Sequence, residues 1–320
     1  MRVLCLATMG EKTMDLAPGA DVEAILRDEI VREARAMAAV VPVLRHLLSS
    51  EAKALVSDAV LARVGGMIQD LAAQLIAVCD GHDPGIRAHT RPDSDAIDQL
   101  AERLMADEDL LGFCHALAAE GLIADRLFQR HAIDPVLSPL LQELIASEDS
   151  ATAALAMQSL AAQSRFMQRQ RRMELPLGEL PAELFHRLLS VACRDMPDAA
   201  AFSRMQASYD EGASRLGLLA RLAGGMRRGV VAALALDHAG LALFASALAL
   251  STRSSREGAV LACHEGQSAR LALLLRATDV SPAAIERQIL IVEPSGRLPR
   301  GLAELTAEQA ATLLAGSGFV

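Results

Sequence analysis

Residues 104–109 read L-M-A-D-E-D, and forty residues later 144–149 read L-I-A-S-E-D, with Leu100 and Leu140 at the same offset. Self-similarity at a fixed period narrows a fold more than any single motif does, because each period must be one supersecondary unit. In a chain that reads as helical throughout, a spacing near 40 residues is that of HEAT-type helix pairs. Such a pair has an apolar face that it cannot bury alone, so neighbours stack into an extended array. The repeat therefore predicts an architecture, an all-α HEAT-like array, and says little about chemistry.

Composition supports the helical reading. Hydrophobic residues make up 52% of the 320 residues but aromatics only 2%, with no Trp and a single Tyr, Tyr209. The core must then be built from Leu, Ala, Val, Ile and Met. Leu and Ala are strong helix formers, whereas strands favour β-branched and aromatic residues. Lysine occurs only at Lys12 and Lys53, and all other basic residues are Arg. The formal net charge of −9 disfavours broad nucleic-acid binding, which draws its affinity from basic charge. Cys5, Cys79, Cys114, Cys193 and Cys263 lie far apart and form no C-x-x-C. An odd, dispersed set points to reduced thiols and a cytoplasmic protein. The apolar run at residues 3–7 is too short for a secretory signal.

Along the chain, residues 1–20 read as a loose arm and 21–80 as a helical hairpin. Asp21 is a candidate N-cap for a helix to about Leu48, with Val22, Ile25, Leu26 and Ile30 at helical spacing and a kink at Pro42. Ser50 is a candidate cap for a second helix over 51–79, weakened at Gly65-Gly66. Two long amphipathic helices of this kind suit homodimer packing into a four-helix bundle. Residues 81–94, rich in Pro, Gly and polar residues, read as a linker and domain boundary. A HEAT-like domain over 95–295 follows, with helices at about 95–106, 108–120, 122–131, 136–147 and 150–170. After a break at 171–181, further helices are expected at about 181–195, 199–208, 212–223, 227–236, 239–251, 255–264, 266–277 and 282–292. Ser254 with Glu257, and Thr306 with Gln309, have capping-box spacing. Residues 296–320 supply a C-terminal loop and a last short helix. The apolar stretch 230–250 has the length of a bilayer span. Asp237 and His238 near its middle, followed by Gly240, favour two short buried helices joined by a turn, so no membrane span is expected.

Two stretches carry a resemblance to a known family. They are A-A-Q-S-R-F-M-Q-R-Q-R-R-M-E-L-P-L-G-E-L-P-A-E-L-F-H at 161–186 and R-E-G-A-V-L-A-C-H-E-G-Q-S-A-R-L-A-L-L-L-R-A at 256–277. In these the chain resembles an uncharacterised alphaproteobacterial helical family, the domain of unknown function 2336, over about 100–295. The resemblance implies a HEAT-like fold and a cytoplasmic location, and it carries no catalytic residue over.

Among candidate sites, Arg165, Arg169 and Arg172 fall at i, i+4 and i+7, with Arg171 alongside. Clustered guanidiniums can clamp a carboxylate or phosphate in bidentate fashion; the plainer alternative is a solvated face at the negative end of a helix dipole. The adjoining L-P-L-G-E-L-P loop could complete a docking surface. No two of the eight histidines sit at i, i+3 or i+4, the spacing a helical zinc site uses. His82 and His89 share the linker, and Cys263-His264-Glu265 are neighbours that point apart on a helix. His46, on the first helix of the hairpin, has the placement of a phosphotransfer histidine, but L-R-H-L-L lacks an adjacent acid. Neither a G-x-S-x-G elbow nor a G-x-x-x-x-G-K-[ST] loop occurs. The remaining Asp and Glu read as structural charges on helix starts and surface faces.

These readings converge on a non-enzymatic interaction scaffold or adaptor that binds another protein through Arg165, Arg169, Arg171 and Arg172, with no cofactor, metal or nucleic acid. The alternatives are a signalling component phosphorylated on His46 and a metal-dependent helical hydrolase.

Overall fold

The computed structural model describes residues 55–80, 94–192, 199–297 and 301–316. Contacts divide the chain after Lys53, and every described residue belongs to the unit Ala54–Val320. The first helix of the expected hairpin, its caps Asp21 and Ser50, Pro42, His46 and the linker at 81–93 lie outside the described residues. Among those described, all regular structure is helical and no strand occurs.

Helix α1, Asp58–Cys79, is capped by Ser57, whose Oγ accepts from Val60 N. It buries Met67, Ile68, Leu71 and Leu75 on one stripe and packs on α2, Ser94–Leu104, and α3, Glu108–His131. It is the one described helix long and apolar enough to cross a membrane. The helix runs unbroken through Gly65-Gly66, and a Cβ at Gly66 would collide with Met173 Cβ, so that glycine admits a close approach.

After α3 come α4, Pro139–Ile145, and α5, Ser150–Arg172. The 40-residue sequence repeat thus becomes two short–long helix pairs. Both long helices start at an aspartate cap: Asp107 accepts from Leu110 N, and Asp149 from Thr152 N. Both end on a non-glycine left-handed residue, Ala132 at φ 54° and Met173 at φ 58°. The aligned Asp109 and Asp149 are therefore not equivalent. Helix α3 also runs unbroken through Gly121, where two helices, 108–120 and 122–131, were expected. A glycine tolerated inside a helix here serves packing. A Cβ on Gly121 would lie 2.5 Å from Arg63 Nη1 and 3.3 Å from Gln170 Oε1.

Beyond a 3-10 turn at Leu177–Glu179 lie α6, Ala182–Ala192, α7, Ala199–Ser208, and α8, Arg215–Gly225. A 3-10 segment, Arg227–Leu234, leads into α9, Leu236–Thr252, which breaks at Gly240 (φ 68°, ψ 160°). The apolar stretch 230–250 is thus divided, at the D-H-A-G turn. Helix α10, Arg256–Ala262, is capped by Ser255, which accepts from Gly258 N, and not by the expected Ser254. Helices α11, Ser268–Ala277, α12, Pro282–Val292, and α13, Ala307–Gly316, complete the chain. Thr306 and Gln309 do form the reciprocal box, Thr306 N donating to Gln309 Oε1 and Gln309 N to Thr306 Oγ1.

Packing is not confined to neighbours in sequence. Helix α5 lies on α8, α8 on α9, α9 on α10, and α10 back on α3, which also touches α5 and α9. Five helices therefore surround one point in the core.

Candidate functional site

At that point stands Glu120, in the middle of α3 and 1% exposed. Two arginines grip it in bidentate fashion. Arg215, at the start of α8 and 2% exposed, donates from Nη1 to Oε1 and from Nη2 to Oε2, both at 2.8 Å. Arg256, at the start of α10, donates from Nη2 to Oε1 at 2.7 Å and from Nη1 to Oε2 at 2.8 Å. Each surrounding helix adds a residue. From α5, Gln163 Oε1 accepts from Arg215 Nη1 at 3.0 Å, and the Phe166 ring lies 3.7 Å below that guanidinium. From α9, Ser246 Oγ accepts from Arg256 Nε at 2.9 Å.

Burial alone would raise the Glu120 pKa, because a charge loses hydration in the core. Attraction from Arg215 and Arg256 and their four hydrogen bonds outweigh this and hold the carboxyl well below its ordinary range. Nearby Cys263 is pushed up to about 12 by burial, so its thiol stays protonated and a poor nucleophile. The carboxylate here is saturated with donors. Its chemistry is that of a keystone, and removing one member would leave an uncompensated buried charge.

This cluster corrects the expectation that the acidic residues keep to helix starts and surfaces. Its members lie 95 and 136 residues apart in sequence, so no local spacing reveals them. The usable signal is a lone Glu inside the apolar run A-L-A-A-E-G-L-I-A, since a buried charge requires partners.

The four expected contact arginines are divided by the fold. Arg165, Arg171 and Arg172 are exposed on α5, and their side chains make no ion pair or hydrogen bond among the described residues. Arg169 is half-buried and engaged: its Nη1 reaches Glu179 Oε1 at 3.3 Å, while Glu179 Oε2 accepts from Arg215 N at 2.8 Å. Arg171 also projects about 120° around the helix from the line through Arg165 and Arg172. The adjoining loop turns its leucines inward. Leu175, Leu177 and Leu180 are buried, and α1 holds the loop backbone. Asp70 Oδ2 accepts from Leu175 N, Gln74 Oε1 accepts from Leu177 N, and Gln74 Nε2 donates to Leu175 O.

Among the described residues no three His, Cys, Asp or Glu gather as a metal set. Cys263, His264 and Glu265 diverge: the thiol donates to Ala259 O, His264 Nδ1 contacts Glu265 O, and the Glu265 carboxylate pairs with Arg126 and Arg130.

No family model, curated protein or solved structure matches the chain.

Proposed function

We propose that the chain is a non-enzymatic, cytoplasmic protein-interaction scaffold, a HEAT-like array of helix pairs that meets an acidic surface of a partner protein through Arg165, Arg171 and Arg172. The observation that carries this reading is the contrast within one helix end. Arg169 is tied down by Glu179, while its three neighbours extend into solvent without a counter-ion among the described residues. Exposed guanidiniums suit bidentate capture of carboxylates at an interface. The HEAT-like part is supported by the two successive short–long pairs ending at Ala132 and Met173. Membership of the domain of unknown function 2336 is part of the same reading. Its two resembling stretches, 161–186 and 256–277, contain Gln163, Phe166 and Arg256 of the buried cluster.

The test is affinity purification of the tagged chain from its host at low salt, beside Arg165→Glu/Arg172→Glu. A stoichiometric partner that the double variant loses, at an unchanged melting temperature, is the expected result. A partner retained by the variant removes the patch, and recovery of no partner by the intact protein removes the scaffold.

A further inference from the structure

A groove of about 900 Å³ opens between the first turns of α3, α6 and α10. Its lining includes Phe113, Leu184 and Leu261, of which Phe113 and Leu184 are each 5% exposed. Acidic side chains stand on all three walls: Glu108 on α3, Glu183 on α6 and Glu257 on α10. None of the three makes an ion pair or side-chain hydrogen bond among the described residues. The cations that reach the groove are already engaged. Arg187 is held by Asp107 at 2.7 Å and Asp109 at 2.9 Å, and Arg270 has its own interaction. The groove thus has buried apolar side chains at its floor and, on three separate helices, acidic side chains that make no ion pair among the described residues.

We infer that this groove docks an amphipathic helix of a partner protein, apolar on one face and flanked on both sides by lysine or arginine. Charge complementarity supplies the flanks, because cations beside the apolar face of the docked helix would meet Glu108, Glu183 and Glu257, one on each wall. The absence of a strand edge among the described residues supplies the helix. An extended segment would find no backbone ladder to join, whereas a helix satisfies its own N–H and C=O groups and needs only an apolar trough. The inference deepens the scaffold reading but uses a surface apart from Arg165, Arg171 and Arg172, so the two fail separately.

Gly112 supplies the decisive variant. It lies on the α3 wall of the groove, and a Cβ built there has nothing within 4 Å. Leucine at this position begins from a Cβ in open space on the groove wall and replaces a poor helix former by a good one. The probe is a synthetic peptide of about 18 residues, five helical turns. It carries leucine at i, i+3, i+4 and i+7, lysine on both flanks and one tryptophan on the apolar face. The chain contains no tryptophan, so the peptide indole is the sole emitter of its kind and reports its own burial.

The full chain is expected to bind the peptide with a blue-shifted emission. Gly112→Leu, and separately Glu108→Gln/Glu183→Gln/Glu257→Gln, should each weaken binding by about tenfold, roughly one lost interaction class. The triple variant should also flatten the salt dependence. Arg165→Glu/Arg172→Glu should leave peptide binding unchanged. The inference is overturned if the intact chain does not bind, if Gly112→Leu binds as well as wild type, or if a scrambled peptide of equal charge binds equally.

Discussion

Glu108 and Glu120 sit on the same helix, about 18 Å apart along its axis, and have opposite fates. Glu108, in the first turn of α3, faces an open groove with no partner among the described residues; Glu120 is enclosed by Arg215, itself in the core, and by the partly buried Arg256. A glycine accompanies each. Gly112 borders open space, while Gly121 lies under Arg63 and Gln170. The difference teaches that residue type does not separate a structural charge from an available one on this helix. What separates them is whether the surrounding helices have already supplied its counter-charge.

The comparison is broken most directly by removing Glu120. Glu120→Ala leaves two guanidiniums desolvated against each other, and chemical denaturation should show a loss of about 3–5 kcal/mol. A loss below about 1 kcal/mol, typical of a surface change, would show that the cluster is not the keystone. The glycines come next. Gly112→Ala should stabilise by about 0.5–1 kcal/mol, whereas at Gly121 the same gain is offset, because a Cβ there must displace the Arg63 guanidinium and press on Gln170. Gly112→Ala is expected to raise the melting temperature more than Gly121→Ala does, and equal shifts would contradict the packing described.

Acid sharpens the same contrast. The folded pKa of Glu120 lies below its ordinary value of 4.5, so its contribution is complete above that value and is lost progressively as pH falls toward the folded pKa. Stability of the wild type should therefore decline below about pH 4.5 more steeply than that of Glu120→Gln. Identical slopes in a urea–pH matrix would count against the charge assignment. The smallest effect belongs to Glu108→Gln, expected to change stability by no more than about 0.5 kcal/mol in the same titration.

Much of the helical framework is legible in the sequence because its signals are local. Ser281-Pro282, Thr306 with Gln309, and Pro139 at a helix start all act within one turn, and the structure uses each of them as a boundary. Locality also explains the misreadings. Ser254 and Ser255 compete for one cap, and only the backbone geometry at Ser255 (φ −65°, ψ 146°) presents its hydroxyl to Gly258 N. Gly121 reads as a helix end until the side chain that needs its bare Cα is known. Arg169 reads as one of four equivalent arginines until Glu179, beyond the turn, takes it. The buried cluster depends on pairings across 95 and 136 residues, which only the closed path of helices brings about.

The loop at Leu175–Leu177 has a consequence of its own. Its backbone N–H groups donate hydrogen bonds to the side chains of Asp70 and Gln74, about a hundred residues earlier, as an extended segment would to a neighbouring strand. The connection between α5 and α6 is thereby also the latch that holds α1 against the body. The amide of Leu175, outside any regular element, and that of Leu177, at the start of the 3-10 turn, are expected to exchange together with the interior of α1 in a native-state hydrogen-exchange experiment.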